Sequence, residues 1–234
     1  MEQYDLLVIQ GVPYPKPLVA YLASGEVLWE PLALLMTGIG RLHSIRAKEV
    51  FINNELYENT SFRDFKLQLQ YYDLAAGMEA SSALKSSIID LADRYKTQKY
   101  TLLHGDLNSR NVIINSKDNS FGVIDFEQSH VGNPIYDLAY ILSEVYMACL
   151  YHGIDMDATM HRLIQAYTKS NTTFDLKNHW VEFKKHLGVQ ILYRLHGPSK
   201  ASWSFYMTDM KKRAHIIEVA KLMIMQRMQF GEWS

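Results

Sequence analysis

The segment from Thr101 to Leu142, TLLHGDLNSRNVIINSKDNSFGVIDFEQSHVGNPIYDLAYIL, constrains the fold of this chain more than any other. Three apolar runs stand in it, Leu102 with Leu103, Val112 to Ile114, and Phe121 to Ile124. Each is too short for a helix and rich in β-formers, so each reads as a strand. Between the second and third lies Asn115-Ser116-Lys117-Asp118-Asn119-Ser120, a cluster of turn residues that predicts a hairpin centred near Asp118. With that midpoint Val112 faces Ile124 and Asn111 faces Asp125, directly opposed side chains lying roughly 5 Å apart.

Polar residues at the mouths of these strands carry the chemistry. An amide oxygen from Asn111 and a carboxylate from Asp125 suit a magnesium ion, which takes hard oxygen ligands at roughly 2.0 to 2.1 Å and fills its shell with phosphates and water. Asp106 sits in the loop just before Asn111 and reaches the same end of the hairpin. In phosphoryl transfer to a hydroxyl an aspartate orients the acceptor and takes its proton, help worth on the order of 100 to 10,000-fold in rate. The plainer reading is that Asp106 and Asn111 are turn residues, that Asp137 favours the first turn of a helix starting near Ile135, and that Glu127 is an exposed acid after a strand. Arg110 reads as a solvated loop arginine.

His104-Gly105-Asp106 with Asn111 five positions after the aspartate, then Ile124-Asp125-Phe126-Glu127, then Gly132-Asn133-Pro134 with Asp137-Leu138-Ala139, resembles the aminoglycoside phosphotransferase and choline kinase family. The resemblance implies an α+β, protein-kinase-like fold with a mainly helical C-terminal lobe, a small catalytic β-hairpin and a remnant of the N-terminal β lobe. It implies an ATP-dependent transfer of phosphate to a small-molecule hydroxyl, with Mg2+ as cofactor. Asp106 would be the catalytic base, Asn111 and Asp125 the metal ligands, His104 and Asp137 supports of the loop, and Glu127 a further member of the site.

Upstream, Leu18 to Leu22 and Val27 to Trp29 read as two strands around Ser24-Gly25-Glu26. Pro31, Leu32, Leu35, Met36, Ile39 and Leu42 then mark an amphipathic helix. The strand-to-helix crossing at Glu30 is, by the resemblance, the hinge where Trp29, Glu30 and Leu32 meet the adenine. That divides the chain into residues 1–30, the remnant of a small lobe, and residues 31–234, the catalytic lobe. The family's phosphate-covering loop and strand lysine are not visible in this sequence. Gly38-Ile39-Gly40 lies within the helix with His43 where a third glycine would stand, and reads as a helix contact. Lys16 between Pro15 and Pro17 is poorly placed for a strand interior. This departure opens a second reading, a catalytically impaired kinase-like binding or regulatory protein, with a protein partner supplying or replacing the lobe. A protein kinase is disfavoured because no A-P-E-like end follows Asp125.

The rest reads as helices, over Phe62 to Met78, Leu84 to Tyr95, Tyr136 to Leu150, Ala158 to Tyr167, Leu176 to Leu195 and Met210 to Met228. The chain, with 234 residues of which 48% are hydrophobic, is long enough to bury a substantial core. A net charge of -1 without a basic run gives no case for nucleic acid, and no apolar stretch of some 18 residues calls for a membrane. A cytoplasmic location is expected, and Cys149, flanked by Ala148 and Leu150, reads as a buried helix position. The Met223, Met225 and Met228 cluster reads as core, and His179 and His186 lack the carboxylates of a metal site. For a cationic acceptor, Asp155, Asp157, Asp175, Trp180, Glu182, Trp203 and Tyr206 are available as lining. Arg194 and His196 suit an anionic or sugar acceptor, Arg194 serving equally as a charge at a helix C-terminus.

Overall fold

The computed structural model describes residues 11–46, 60–118, 120–198 and 200–227. The front of the chain is a short strand, β1 (Pro15–Pro17), followed at once by α1 (Leu18–Ser24) and α2 (Trp29–Leu42). The hairpin expected over Leu18 to Trp29 is therefore corrected to two helices. Leu18, Tyr21 and Leu22 sit at helical spacing and are the residues α1 buries, and Gly25, at φ 80°, ends it in a left-handed cap. Leu6 to Ile9, also read as an apolar run, lies outside the described residues. The proline-flanked Lys16 does lie in a strand, an edge one, where a missing N–H costs no ladder bond.

Next come α3 (Ser61–Leu67), a π-helical turn (Gln68–Tyr72), α4 (Asp73–Gly77) and α5 (Ser82–Thr97). The segment from Thr101 to Leu142 supplies β2 (Thr101–Leu103), β3 (Val112–Asn115), β4 (Phe121–Val123) and β5 (His130–Gly132). Helices α6 (Ile135–His152), α7 (Met156–Ser170), α8 (Trp180–His196), α9 (Lys200–Trp203) and α10 (Met210–Ile224) complete the chain. The architecture is α+β and mainly helical, as read from the sequence.

Helix α6 is buried without interruption from Ile135 to Cys149. A helix apolar on every side belongs at the centre, and α8, α10, α7 and α1 pack around it. Helix α2 lies along α7. Gly40 makes that approach possible, since a Cβ there would stand 2.1 Å from Ser170 Oγ and 2.7 Å from the Tyr167 carbonyl, so the glycine is the helix contact expected. Cys149 is fully buried and its thiol is pushed up to about 11 by that burial. Met223 and Ile216 are core residues, whereas Met228 lies outside the described residues. No described helix is long and apolar enough to cross a membrane.

Two antiparallel sheets sit against the helices, one ordered β1-β3-β4 and the other β2-β5. The register of the β3–β4 hairpin differs by one residue from the expected one: Val112 pairs with Val123 and Ile113 with Gly122. The turn closes one position earlier because the Asn115 N–H donates to the Ser120 carbonyl, while Asp118 Oδ1 accepts from Ser120 N and Oγ. Asn111 therefore lies opposite Ile124, whose N–H donates to its carbonyl at 3.0 Å. Asp125 stands past the end of β4 rather than within the ladder.

Candidate functional site

The loop from His104 to Asn111 hangs between β2 and β3, and the buried carboxylate of Asp137, in the first turn of α6, holds it from below. The Asp137 Oδ2 accepts from His104 N at 2.7 Å and Oδ1 accepts from Gly105 N at 3.0 Å. His43, just beyond α2, donates from Nε2 to the same Oδ2 at 3.3 Å, its Nδ1 accepting from the Tyr167 hydroxyl at 3.1 Å. Burial alone would raise the Asp137 pKa, but the hydrogen bond and charge of His43, with those of His104, outweigh it and hold the carboxyl below its ordinary value. Gly105 takes φ +81°, and a Cβ there would lie 2.1 Å from the Gln128 carbonyl oxygen, so both the backbone conformation and the close approach require glycine.

His104 joins the loop to the strand that leads into Asp125. Its Nδ1 accepts from Asp106 N at 3.2 Å, which leaves Nε2 to donate to the Ile124 carbonyl at 2.9 Å. One imidazole thus sets the separation between the Asp106 turn and the end of β4. Asp125 follows in the left-handed region at φ 70°, exposed at that end. Asp106 and Asn111 touch directly: Asn111 Nδ2 donates to the Asp106 carbonyl at 2.9 Å and to Oδ2 at 3.2 Å. With its amide hydrogens spent on Asp106, Asn111 keeps its side-chain oxygen for another partner. Among the described residues no three His, Cys, Asp or Glu side chains form a metal cluster. Asn111 Oδ1 and the Asp125 carboxylate are hard oxygens that could serve a magnesium ion whose remaining ligands are phosphates and water.

Lys66, which no sequence motif marks, reaches into this site from α3. Its Nζ lies 2.5 Å from Asp106 Oδ1, with both side chains nearly buried, and also stands over the ring of Tyr140 at 5.4 Å. Forty residues separate the pair in the chain, and no local pattern around Lys66 announces it.

A second buried network fixes the other side of the loop. Glu144 of α6 accepts from Ser109 N at 3.2 Å and from Ser109 Oγ. Arg194 of α8 donates to Glu144 Oε1 and to the Tyr140 carbonyl, both at 3.0 Å, and its guanidinium lies 4.4 Å from the Tyr140 ring centroid. Arg194 is thus a fully buried partner of the loop's support, neither an acceptor contact nor an exposed helix-end charge. Arg110 turns away from the loop to the Ser202 carbonyl and the Trp203 ring, and its side chain is exposed, as its reading as a solvated loop arginine expects.

Other expected residues are not brought here. Trp29 and Glu30 open α2 and face Arg162 and Gln165 of α7 across a groove, while Leu32 is buried in the core. The strand-to-helix crossing that placed an adenine hinge at Glu30 does not exist. The crossing in the structure is from Pro17 to Leu18, where β1 pairs with β3. Glu127 lies exposed in a 3-10 turn (Phe126–Gln128). Of the proposed acceptor lining, Asp155 caps α7, Asp175 caps the turn before α8, and Glu182 lies beside Arg94 and His179. His186 is buried against the Tyr71 hydroxyl at 2.6 Å, away from His179, which stacks on Phe174.

The family model described as Phosphotransferase enzyme family matches residues 24–168, a span that holds the whole loop, the hairpin and α6. Two solved structures are similar in outline. An ethanolamine kinase from Plasmodium vivax has 16% identity and a TM-score of 0.49, over 93% of this chain and 66% of its own. A macrolide 2'-phosphotransferase type I has 13% identity and a TM-score of 0.44, over 82% of this chain and 60% of its own. The chain thus spans about two thirds or less of the length of either. Among curated protein sequences nothing matches.

Proposed function

Because the chain belongs to the phosphotransferase enzyme family, we propose that it is an ATP-dependent phosphotransferase that moves the terminal phosphate onto the hydroxyl of a small molecule. The observation that carries this reading is the contact of Asp106 with Asn111 at the mouth of β3, in a loop that His104 ties to the Ile124 carbonyl just before Asp125. Asp106 orients the acceptor hydroxyl and takes its proton. The hydroxyl oxygen forms a bond to the terminal phosphorus as the bond from that phosphorus to the bridging oxygen breaks, and ADP leaves. Asn111 Oδ1 and the Asp125 carboxylate would hold Mg2+, which when bound neutralises charge on the phosphates. Residues 1–30 are, in this reading, the tail of a small lobe and residues 31–234 the catalytic lobe.

We place the adenine on the apolar face of the hairpin rather than at Glu30. Ile113 lies opposite Gly122, and Val12 stands where a side chain at Gly122 would be, 2.9 Å from its Cβ position. Ile124 and Phe126 continue that surface with large exposed side chains, the kind of patch a purine ring covers. Calorimetry with ATP and magnesium tests the reading. Binding is expected, and Asp125→Ala is expected to weaken it at least about tenfold. Labelled ATP with a panel of aminoglycosides, amino alcohols and sugars should then yield a phosphorylated product that Asp106→Ala abolishes. No binding by the intact chain, or binding indifferent to Asp125→Ala, refutes the assignment.

A further inference from the structure

We propose that Lys66 is a catalytic residue, a lysine whose ammonium group contacts the transferring phosphoryl group from the side of the base. The inference rests on the phosphotransferase reading and deepens it. An acceptor hydroxyl must approach Asp106 within about 2.6 to 3.2 Å to lose its proton, and the phosphorus must stand roughly 3 to 3.5 Å from that hydroxyl before the bond forms. Lys66 Nζ, at 2.5 Å from Asp106 Oδ1, already occupies the rim of that space. A flexible ammonium keeps two further N–H donors when one is engaged by a carboxylate, and those point charges suit equatorial phosphoryl oxygens as negative charge spreads over them.

Three structural facts favour this role over that of a surface ion pair. The side chains of Lys66 and Asp106 are each only 12% exposed, so the pair is little screened by solvent. Arg110, the cation within the loop, is turned to Ser202 and Trp203, and Arg194 is engaged by Glu144. Finally, Lys66 rides on a rigidly seated element. The π-helical turn directly after α3 buries Gln70 and Tyr71 together, and Gln70 Oε1 accepts from Tyr136 of α6 at 2.9 Å and from Gln190 of α8 at 2.8 Å. A π turn re-aims the residues beside it and is frequent at functional sites.

In the step itself the acceptor oxygen binds phosphorus, the bond from phosphorus to the bridging oxygen of ATP breaks, the hydroxyl proton passes to Asp106, and Lys66 keeps its proton throughout.

The test compares Mg-ADP binding with and without aluminium fluoride, a mimic of the phosphoryl group in flight, in the intact chain and in Lys66→Met, Lys66→Gln and Lys66→Arg. Fluoride should tighten ADP binding on the order of 100-fold in the unaltered protein. Lys66→Met and Lys66→Gln should keep Mg-ADP affinity within about threefold yet lose most of that tightening, and Lys66→Arg should retain part of it. Thermal unfolding identifies variants that remain folded, and Lys66→Gln, which keeps a hydrogen-bond donor, stands in if Lys66→Met does not fold. Full fluoride tightening in a folded Lys66→Met or Lys66→Gln protein, as for a lysine that only braces Asp106 or holds an acceptor, overturns the proposal. So does an absence of tightening in the unaltered chain that binds Mg-ADP. Failure of the unaltered chain to bind any magnesium nucleotide is a different result, one that removes the phosphotransferase reading itself.

Discussion

Replacing Asp137 by asparagine removes one charge and one acceptor while keeping the shape of the side chain. In the native loop the carboxylate takes three donors, His104 N, Gly105 N and His43 Nε2, at 2.7, 3.0 and 3.3 Å. Whichever way the amide is turned, its NH2 group confronts one buried backbone N–H. A hydrogen bond to a charged group contributes about 1.5 to 3 kcal/mol and a neutral one about 0.5 to 1.5, while a buried donor left unpaired costs about 1 to 3. Two bonds demoted and one donor orphaned come to about 3 to 6 kcal/mol, a large part of the stability of a domain. Because the Asp137 pKa is depressed in the folded state, its contribution is present above the unfolded value of about 3.9 and is lost as pH falls through the folded value. Urea unfolding of the two proteins should therefore show the full gap at pH 7 and a narrowing gap below about pH 4. A gap under about 1 kcal/mol at pH 7, or one that widens on acidification, would refute the picture of a carboxylate clamping the loop.

Arg194→Met leaves Glu144 charged and uncompensated beneath Ser109, and urea unfolding should record a loss of about 3 to 5 kcal/mol. Adding Glu144→Gln should recover at least half of it, and no recovery would rule out the charge as the cause. His186 is held down to about 3 by burial, with Arg94 and Lys185 adding to the effect, so the folded state refuses a proton that the unfolded chain accepts below about pH 6.5. Stability is thereby lost as pH falls from that value, and His186→Gln should abolish about 2 kcal/mol of the loss between pH 7 and pH 5. Gly105→Ala combines about 1 to 2 kcal/mol of left-handed strain with a Cβ driven against the Gln128 backbone. A clear drop in melting temperature is expected, and an unchanged one would contradict the close approach.

How much of this was legible beforehand depended on the range of the interaction. The strands β2 to β4, the helices after them and the loop between His104 and Asn111 are written in local pattern, since β-formers, turn clusters and helical spacing act over a few residues. Short apolar runs are where that pattern is weakest. Leu18 to Ser24 carries both a β-like composition and helical spacing, and the core, which accepts Leu18, Tyr21 and Leu22 on one face, decided for helix. The hairpin register turned on which hydrogen bond closed the loop, a choice made by Asp118 and Ser120 and invisible to a count of residues. The crossing at Glu30 falls with the strand expected before it, since a helix rather than a strand precedes α2.

By itself, then, the sequence determined the polar trio Asp106, Asn111 and Asp125 at the ends of short strands, with Asp137 following at the head of an apolar helix. Those residues lie close along the chain, and their chemistry can be read from type and order. Their surroundings come from long-range packing: Lys66 against Asp106 across forty residues, His43 against Asp137 across ninety-four, and Arg194 beneath the loop through Glu144. The physical reason is that a buried charge must find its partner wherever packing brings one, and packing around α6 draws together elements that share no local pattern.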